Sequence, residues 1–320
     1  MSSTLPLVSI VCTCFNQREF IADSINSVLN QSYKPVELII IDDCSTDGSQ
    51  DVIESTIEGH PQVVFIPNKQ NQGICKNFNN GLKQSKGKYL IDLSGDDILL
   101  LDRIEKQVAF FEILSQKYGV IYSNAEMIDE NEQSLGHYYP TDKENKSQVL
   151  PYQESIYSQL IKTCFIAAPT MMMMRSMLGE LGGYDENLAY EDFDFWIRSS
   201  RKWKYAYQDE VLTKIRKTPG SLSSSQYHHE DDQLLSTYKV CEKIKALNQT
   251  KEEDQALIKR LKYEIRHAVF AEKRHEAKLF LGLLNELQPL SFSDKLFRVL
   301  HNVGAKTAWL RNTYLKIKNR

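Results

Sequence analysis

Short apolar runs alternate with amphipathic stretches through roughly the first 130 residues of the chain. Strands are predicted over Val8 to Cys14, Glu37 to Asp42, Gln62 to Pro67, Lys88 to Leu93 and Gly119 to Ser123. Each is rich in β-branched and other apolar residues and is bounded by Asp, Asn, Ser or Gly. Between the first two strands Ile21, Ile25, Val28 and Leu29 recur at helical spacing, and Asp47 in STDGS stands where it can cap a helix running on through Val52 and Ile53. Strands alternating with helices in this way build βαβ units and a mostly parallel sheet. Loops leaving such strands line the crevice where open α/β sheets bind ligands.

Further on, residues 135–151 are polar and aperiodic and read as a surface loop. CFIAAPTMMMM (164–174) reads as a buried strand, followed by a helix stopping at Gly182 and Gly183 and by a second helix over YEDFDFWIRSSRK (190–202). The character changes after Ser225. From about His229 no strand pattern survives, so the expected organisation is an α/β domain over 1–225 and a helical C-terminal region over 226–320. Near the end Leu296, Leu300, Val303, Thr307, Leu310, Tyr314 and Ile317 form one apolar stripe.

Composition narrows the function classes. With 42% hydrophobic residues in 320, the chain has ample material for a core, and its net charge of −3 argues against a general nucleic-acid binder. The 6 cysteines show neither CxxC units nor a zinc spacing, which fits free thiols in a reducing cytoplasm. Neither a signal-like segment nor an apolar run of about 18 residues appears, so a cytoplasmic location is expected. Residues 291–320 depart from the average. They hold seven Lys/Arg against one acid, a local charge of +6.

Three acidic clusters are candidates for chemistry. In IIIDDCSTDGS a buried strand delivers Asp42, Asp43 and Ser45 to a loop, where a carboxylate can accept from a base N–H or a ribose hydroxyl; the same acids also serve as helix caps. In YLIDLSGDDILL a tight Ser94-Gly95 turn presents Asp96 and Asp97, a half-site for Mg²⁺ or Mn²⁺ completed by substrate phosphates. In the third cluster Glu191 and Asp192 open an aromatic-rich helix, placed either to suit the helix dipole or to act as a base shielded by Phe193, Phe195 and Trp196.

Together these segments resemble glycosyltransferase family 2, the inverting enzymes of the GT-A fold. LVSIVCTCFNQREFIADSINSVLNQSYKPVELIIIDDCSTDGSQDVI is similar to that family's opening, including its TxFN turn and IDDxSTD loop. QNQGICKNFNNGLKQSKGKYLIDLSGDD and LGGYDENLAYEDFDFWIRSS resemble its acidic-turn, GGFDE and ED-helix segments, so the likeness covers about residues 5 to 225. It implies a Rossmann-like α/β sheet for nucleotide-diphospho-sugars and a metal-dependent sugar transfer. The donor would be a nucleotide-sugar, a UDP-sugar foremost, and the acceptor a saccharide or lipid-linked saccharide of a cell-surface polysaccharide. By the same resemblance Thr13, Phe15 and Asn16 border the nucleotide base, Asp43 holds its polar edge, and Lys76 and Asn79 lie along the pocket, with Ser45 a further nucleotide-sugar-binding candidate. Asp96 matches the metal-binding position of the DxD motif, with Asp97 beside it, Asp192 matches the catalytic base, and Glu191 orients the acceptor or steadies that base. The reading requires the tips at Asp43, Asp96 and Asp192 to share one cleft.

Two positions depart from the family pattern. Ser94 replaces the first Asp of DxD, and where the family often shows R-x-H this chain has Arg216 followed by Thr218, leaving Arg216 as a phosphate candidate and the third metal ligand unassigned. His228 and His229 are alternatives for that ligand, against a plain reading as loop histidines. A phosphoryl-transfer enzyme would place its nucleophile in D-x-D directly after the strand, and a sugar nucleotidyltransferase would carry a glycine-rich loop that Thr13 to Arg18 lacks. A non-catalytic nucleotide-sugar-binding subunit is the remaining alternative. The basic stripe of 291–320 either packs on the enzyme's own core or docks on an anionic membrane surface as a peripheral anchor at the inner face.

Overall fold

The computed structural model describes residues 5–218 and 233–302. These form two compact units, the first from 5–156, 165–186 and 198–218, the second from 157–164, 187–197 and 233–302. The expected boundary at 225 lies outside the described residues. Two earlier segments, 157–164 and 187–197, also belong to the second unit, which no composition shift announces.

The first unit begins with β1 (Val8–Cys14), α1 (Ile21–Leu29), β2 (Val36–Asp42), α2 (Ser49–Thr56), β3 (Val64–Pro67), α3 (Ile74–Gln84) and β4 (Tyr89–Ser94). It continues with β5 (Ile98–Leu99), α4 (Arg103–Glu112), β6 (Tyr118–Ile128), β7 (Ser134–His137), β8 (Met172–Met174), α6 (Arg175–Leu181) and β9 (Lys204–Arg216). Helix α5 (Tyr157–Lys162) lies in the second unit. The nine strands of the described residues join one sheet in the order β3-β2-β1-β4-β8-β6-β9-β5, with β7 paired to β6. Strands β3, β2, β1 and β4 are mutually parallel, as the alternating pattern predicts. Every residue of β1 is buried, because a central parallel strand is covered on both faces and reads as one apolar run. Ile21, Ile25 and Val28 of α1 pack on the same side as Ile10, Cys12, Leu93 and Phe111.

Beyond β4 the sheet becomes mixed. Strand β8 runs antiparallel to β4 and β6, β6 and β9 are parallel, and β5 is antiparallel to β9. Here the single strand expected over 164–174 is corrected: only Met172–Met174 pairs, while Ala168–Thr170 makes a 3₁₀ turn around Pro169, which has no N–H to give a ladder. The expected loop over 135–151 is partly ordered as well, since Ser134–His137 pairs with β6 and Thr141 bridges Ser147. Strand β9 escapes the pattern because its register against β6 shifts between Ser123 and Asn124, opposite Gln208 to Val211, which breaks the alternation of its apolar residues.

The second unit is helical throughout its described residues. It contains α5, the start of α7 (Asp192–Ser200), α8 (Gln233–Leu247), α9 (Lys251–Phe270), α10 (Arg274–Leu287) and α11 (Phe292–Asn302). Leu257, Leu261 and Ile265 make one buried line along α9, with Phe280 and Leu284 of α10 also buried. A capping box between Thr250 and Glu253 starts α9. Among the described residues no helix is long and apolar enough to cross a membrane.

Candidate active site

The chain order 3-2-1-4 reverses direction at β1, so the carboxyl ends of β2, β1 and β4 surround a topological switch point. Register puts Cys14 beside Asp42 and Thr13 beside Ser94. Two main-chain bonds carry this neighbourhood past the strand ends: Asp43 N–H donates to the Cys14 carbonyl at 2.8 Å, and Gly95 N–H to the Thr13 carbonyl at 2.9 Å. Asn16, in the left-handed region at φ 52°, then ties the loops together, its N–H donating to Ser45 Oγ at 2.8 Å and its Oδ1 accepting from Thr46 N–H at 2.9 Å. Phe15 beside it is 49% exposed. An aromatic face left open at a strand end suits stacking against a flat ligand.

Asp43 is buried and already engaged. Its carboxylate accepts from Gln72 N–H at 2.7 Å, Gly73 N–H at 2.9 Å and Asn68 Nδ2 at 3.2 Å, which fastens the loop leading into α3. Lys76 is exposed in the first turn of that helix. Asn79 holds a different part of the chain. Its Nδ2 donates to the Tyr184 carbonyl at 2.9 Å and to Glu186 Oε1 at 3.0 Å, and its Oδ1 accepts from Tyr184 N–H at 2.9 Å. Asn79 thus clamps the 183–186 loop. Gly183 permits the clamp, with φ 75° and only 2.3 Å between an added Cβ and Asn79 Oδ1.

The LSGDD turn separates its two acids. Asp96 is partly exposed and its Oδ1 accepts from Ser94 Oγ at 2.5 Å, while Gln17 Nε2 donates to Ser94 Oγ at 3.4 Å. A Cβ on Gly95 would come within 2.6 Å of Gln17 Oε1 and 2.8 Å of Ile21 Cδ1, so glycine is what lets the turn lie close against β1 and α1. Asp97 points inward instead. It is 3% exposed, accepts the Arg216 N–H at 3.0 Å, and is pushed well above the usual carboxylate range by burial and by Asp96.

Arg216 is likewise buried, stacked over Phe20 at 4.6 Å, with Nε donating to the Asp96 carbonyl and Nη1 to the carbonyls of Asp129 and Glu130. Asp23 and Glu132 lie 3.6 and 3.8 Å from Nη2. The guanidinium braces the Asp96-Asp97 turn, and its Nη2 has no hydrogen-bond partner among the described residues. His228 and His229 lie outside the described residues. Among the described residues no group of three metal-ligating side chains comes together. Asp96 fits a hard divalent ion as the single carboxylate that substrate phosphates would complement.

In the second unit Asp192 is the first residue of α7, its Oδ1 accepting from Phe193 N–H at 2.6 Å. Burial pushes its carboxyl up to about 6, against the opposing pull of that hydrogen bond and of the Arg260 charge. Phe193, Phe195 and Trp196 are buried behind it, and Arg260 stacks over Phe193 at 4.3 Å while pairing with Glu264 at 2.6 Å. Glu191 is half-buried at the residue before.

Comparison with known proteins bears on this arrangement. A family model described as glycosyl transferase family 2 matches residues 9–182. The chain belongs to glycosyl transferase family 2. An uncharacterized glycosyltransferase of Rickettsia prowazekii is 30% identical over 212 residues, covering 66% of this chain and 64% of the relative. The putative teichuronic acid biosynthesis glycosyltransferase TuaG of Bacillus subtilis is 28% identical over 231 residues, 71% of this chain and 85% of TuaG. This family 2 chain spans under two thirds of several rickettsial relatives, 64% of one and 34% of another. Residues 1–349 of S. aureus TarS, crystallised in complex with UDP, share the fold with a TM-score of 0.67 at 17% identity, covering 94% of this chain and 87% of that one. The likeness identifies the α/β GT-A sheet with its C-terminal helices.

Sequence reasoning missed Asp92, a polar residue inside the apolar run of β4, whose Oδ2 accepts from Tyr184 Oη at 3.0 Å. The signal was there, an acid at the centre of a strand that is otherwise apolar. It also missed Gln17, whose amide reaches Ser94 only because α1 folds back over the turn. The Asn79 clamp yields a direct check. Asn79→Ala leaves the Tyr184 N–H and carbonyl without their partner, so stability measured by urea unfolding is expected to fall by about 1–3 kcal/mol; a residue serving only a ligand would leave it unchanged.

Proposed function

We propose that this family 2 chain is a metal-dependent inverting glycosyltransferase. It moves a sugar from a nucleotide-sugar donor, a UDP-sugar, to a saccharide or lipid-linked saccharide acceptor in cell-surface polysaccharide synthesis. The observation that carries the reading is the meeting of an open aromatic, Phe15, with Asn16, Asp43, Ser94 and the partly exposed Asp96 at the adjoining ends of β1, β2 and β4. The UDP bound by TarS and the teichuronic acid assignment of TuaG support the donor and the pathway class.

Phe15 stacks on the base, and Thr13, Asn16, Asp43 and Ser45 fix the loops that border it. Lys76, exposed near the start of α3, supplies a cation along the nucleotide. A nucleoside diphosphate leaves readily only when its developing charge is neutralised, which a divalent ion held by Asp96, Mn²⁺ or Mg²⁺, supplies when bound. Arg216 and Gly95 keep Asp96 in place for that task. Asp192 takes the proton of the attacking acceptor hydroxyl, and a single displacement then inverts the anomeric centre. Its raised pKa makes it a better base than an exposed carboxylate while leaving it ionised at neutral pH. Glu191 orients the acceptor. The second reading, a nucleotide-sugar-binding subunit without catalysis, draws on Ser94 standing where a carboxylate is usual.

The enzyme is proposed to act in the cytoplasm at the inner face of the membrane. Phe292, Leu296 and Val299 of α11 form an apolar line at 86%, 49% and 53% exposure, whereas Phe297 turns inward to Phe270 at 6.2 Å. The basic residues of 291–320 accompany that line, and the continuation of the stripe from Val303 onward lies outside the described residues. An exposed apolar line beside a net +6 segment suits an anionic surface.

Asp192→Asn is expected to reduce donor turnover by about 10²–10⁴-fold with UDP affinity unchanged, and activity of the native chain is expected to fall as pH drops through about 6, where the Asp192 carboxylate takes up a proton. Unaltered turnover in the variant would favour the binding-subunit reading. In thermal melting UDP is expected to raise Tm, Mn²⁺ to enlarge the shift, and Asp96→Ala to abolish only the metal-dependent part. Removing 291–320 is expected to reduce sedimentation with phosphatidylglycerol vesicles; equal sedimentation of both chains would remove the membrane reading.

A further inference from the structure

Asp92 interrupts β4 between Ile91 and Leu93, both fully buried. A carboxylate inside a parallel sheet is costly unless it is hydrogen-bonded or paired. Its Oδ2 accepts the Tyr184 hydroxyl at 3.0 Å, no second side chain among the described residues donates to it, and the residue keeps partial exposure. Tyr184 is held firmly in turn. Its ring stacks on Phe78 with centroids 4.0 Å apart, and its N–H and carbonyl are both tied to Asn79. The phenol therefore fixes one carboxylate oxygen and leaves Oδ1 for another donor.

Its place on the sheet identifies the donor group. Along β2, β1 and β4 the strand ends carry Asp43, then Phe15 and Asn16, then Asp96. A nucleotide-sugar with its base on Phe15 beside Asp43 and its diphosphate on the ion held by Asp96, as proposed above, carries its sugar, the group beyond the diphosphate, past the end of β4. Asp92 stands two residues before Ser94 on the same face of β4, about 7 Å back along the strand. Sugar hydroxyls are hydrogen-bond donors, and a carboxylate is an acceptor in need of one. Burial pushes the Asp92 carboxyl up to about 7, and a hydroxyl donating to it would favour the ionised form.

We infer that Asp92, set by Tyr184, is a specificity-determining residue that accepts a hydrogen bond from a ring hydroxyl of the transferred sugar and so selects among epimeric donors. The inference rests on the glycosyltransferase reading above. A site built to bond a hydroxyl rejects analogues that lack or misplace it more strongly than an apolar pocket does.

The test uses the full chain and its Asp92→Leu, Asp92→Asn and Tyr184→Phe variants with UDP, UDP-GlcNAc, its C4 epimer UDP-GalNAc, and UDP-glucose. Binding is measured by calorimetry and donor turnover by UDP release. UDP affinity is expected to stay within about twofold in every variant, while Asp92→Leu lowers kcat/KM for the preferred donor about tenfold or more and narrows its preference over the others. Asp92→Asn, which keeps an acceptor oxygen, is expected to lose less. UDP affinity falling as much as turnover, or donor ratios that do not change, would overturn the inference and leave Asp92 a brace for Tyr184. Native chain that binds neither UDP nor any of the UDP-sugars would sink the glycosyltransferase reading itself, and that result is read without any variant.

Discussion

The hydrogen bonds from Asp43 N–H and Gly95 N–H to the last carbonyls of β1 fix the geometry on which the rest of the first unit's site depends. A parallel ladder ends wherever its strands diverge, and the loops beyond would otherwise be free to splay. These two bonds, one to each side of β1, keep the turns after β2 and β4 in register for one step past the sheet. Asn16 and Gln17 extend the same logic, Asn16 through its N–H to Ser45 and its side chain to Thr46, Gln17 through its amide to Ser94. The open groups, Phe15 and the outer face of Asp96, are what remains after those obligations are met.

Charge is distributed unequally around that turn. Asp97 and Arg216 are buried together with Arg103 close by, and their hydrogen bonds run largely to main-chain atoms and neutral side chains. Buried charges held in this way fix a conformation more than they add stability. Asp96, one residue from Asp97, keeps its exposure, so the pair divides into a partly open acid and a buried one. Asp92 repeats the division on the strand itself, with one oxygen given to Tyr184.

The second unit treats its acids differently. Asp194 is 0% exposed and pairs with Lys243 at 2.6 Å, whereas among the described residues the burial of Asp192, two residues earlier, is offset by the helix N-terminus and the field of Arg260. Glu264 takes the close contact with Arg260, at 2.6 Å. A carboxyl raised to about 6 is the outcome, within the range useful to a general base.

The apolar runs by themselves determined the first four parallel strands to within a residue or two, since a strand buried on both faces admits few other readings, as Val8–Cys14 illustrates. The motifs also named the acids at the strand ends. What they did not reveal is which of two adjacent acids faces outward, because Asp96 and Asp97 have the same chemistry and only the Gly95 turn and the Arg216 N–H sort them. Asn79 and Arg216 look like ligand contacts in the sequence, and that they also clamp partners more than 100 positions away along the chain, Tyr184 and Asp96, no motif announced. Local pattern encodes burial and period; the allocation of each hydrogen bond is decided by tertiary neighbours that no local window contains.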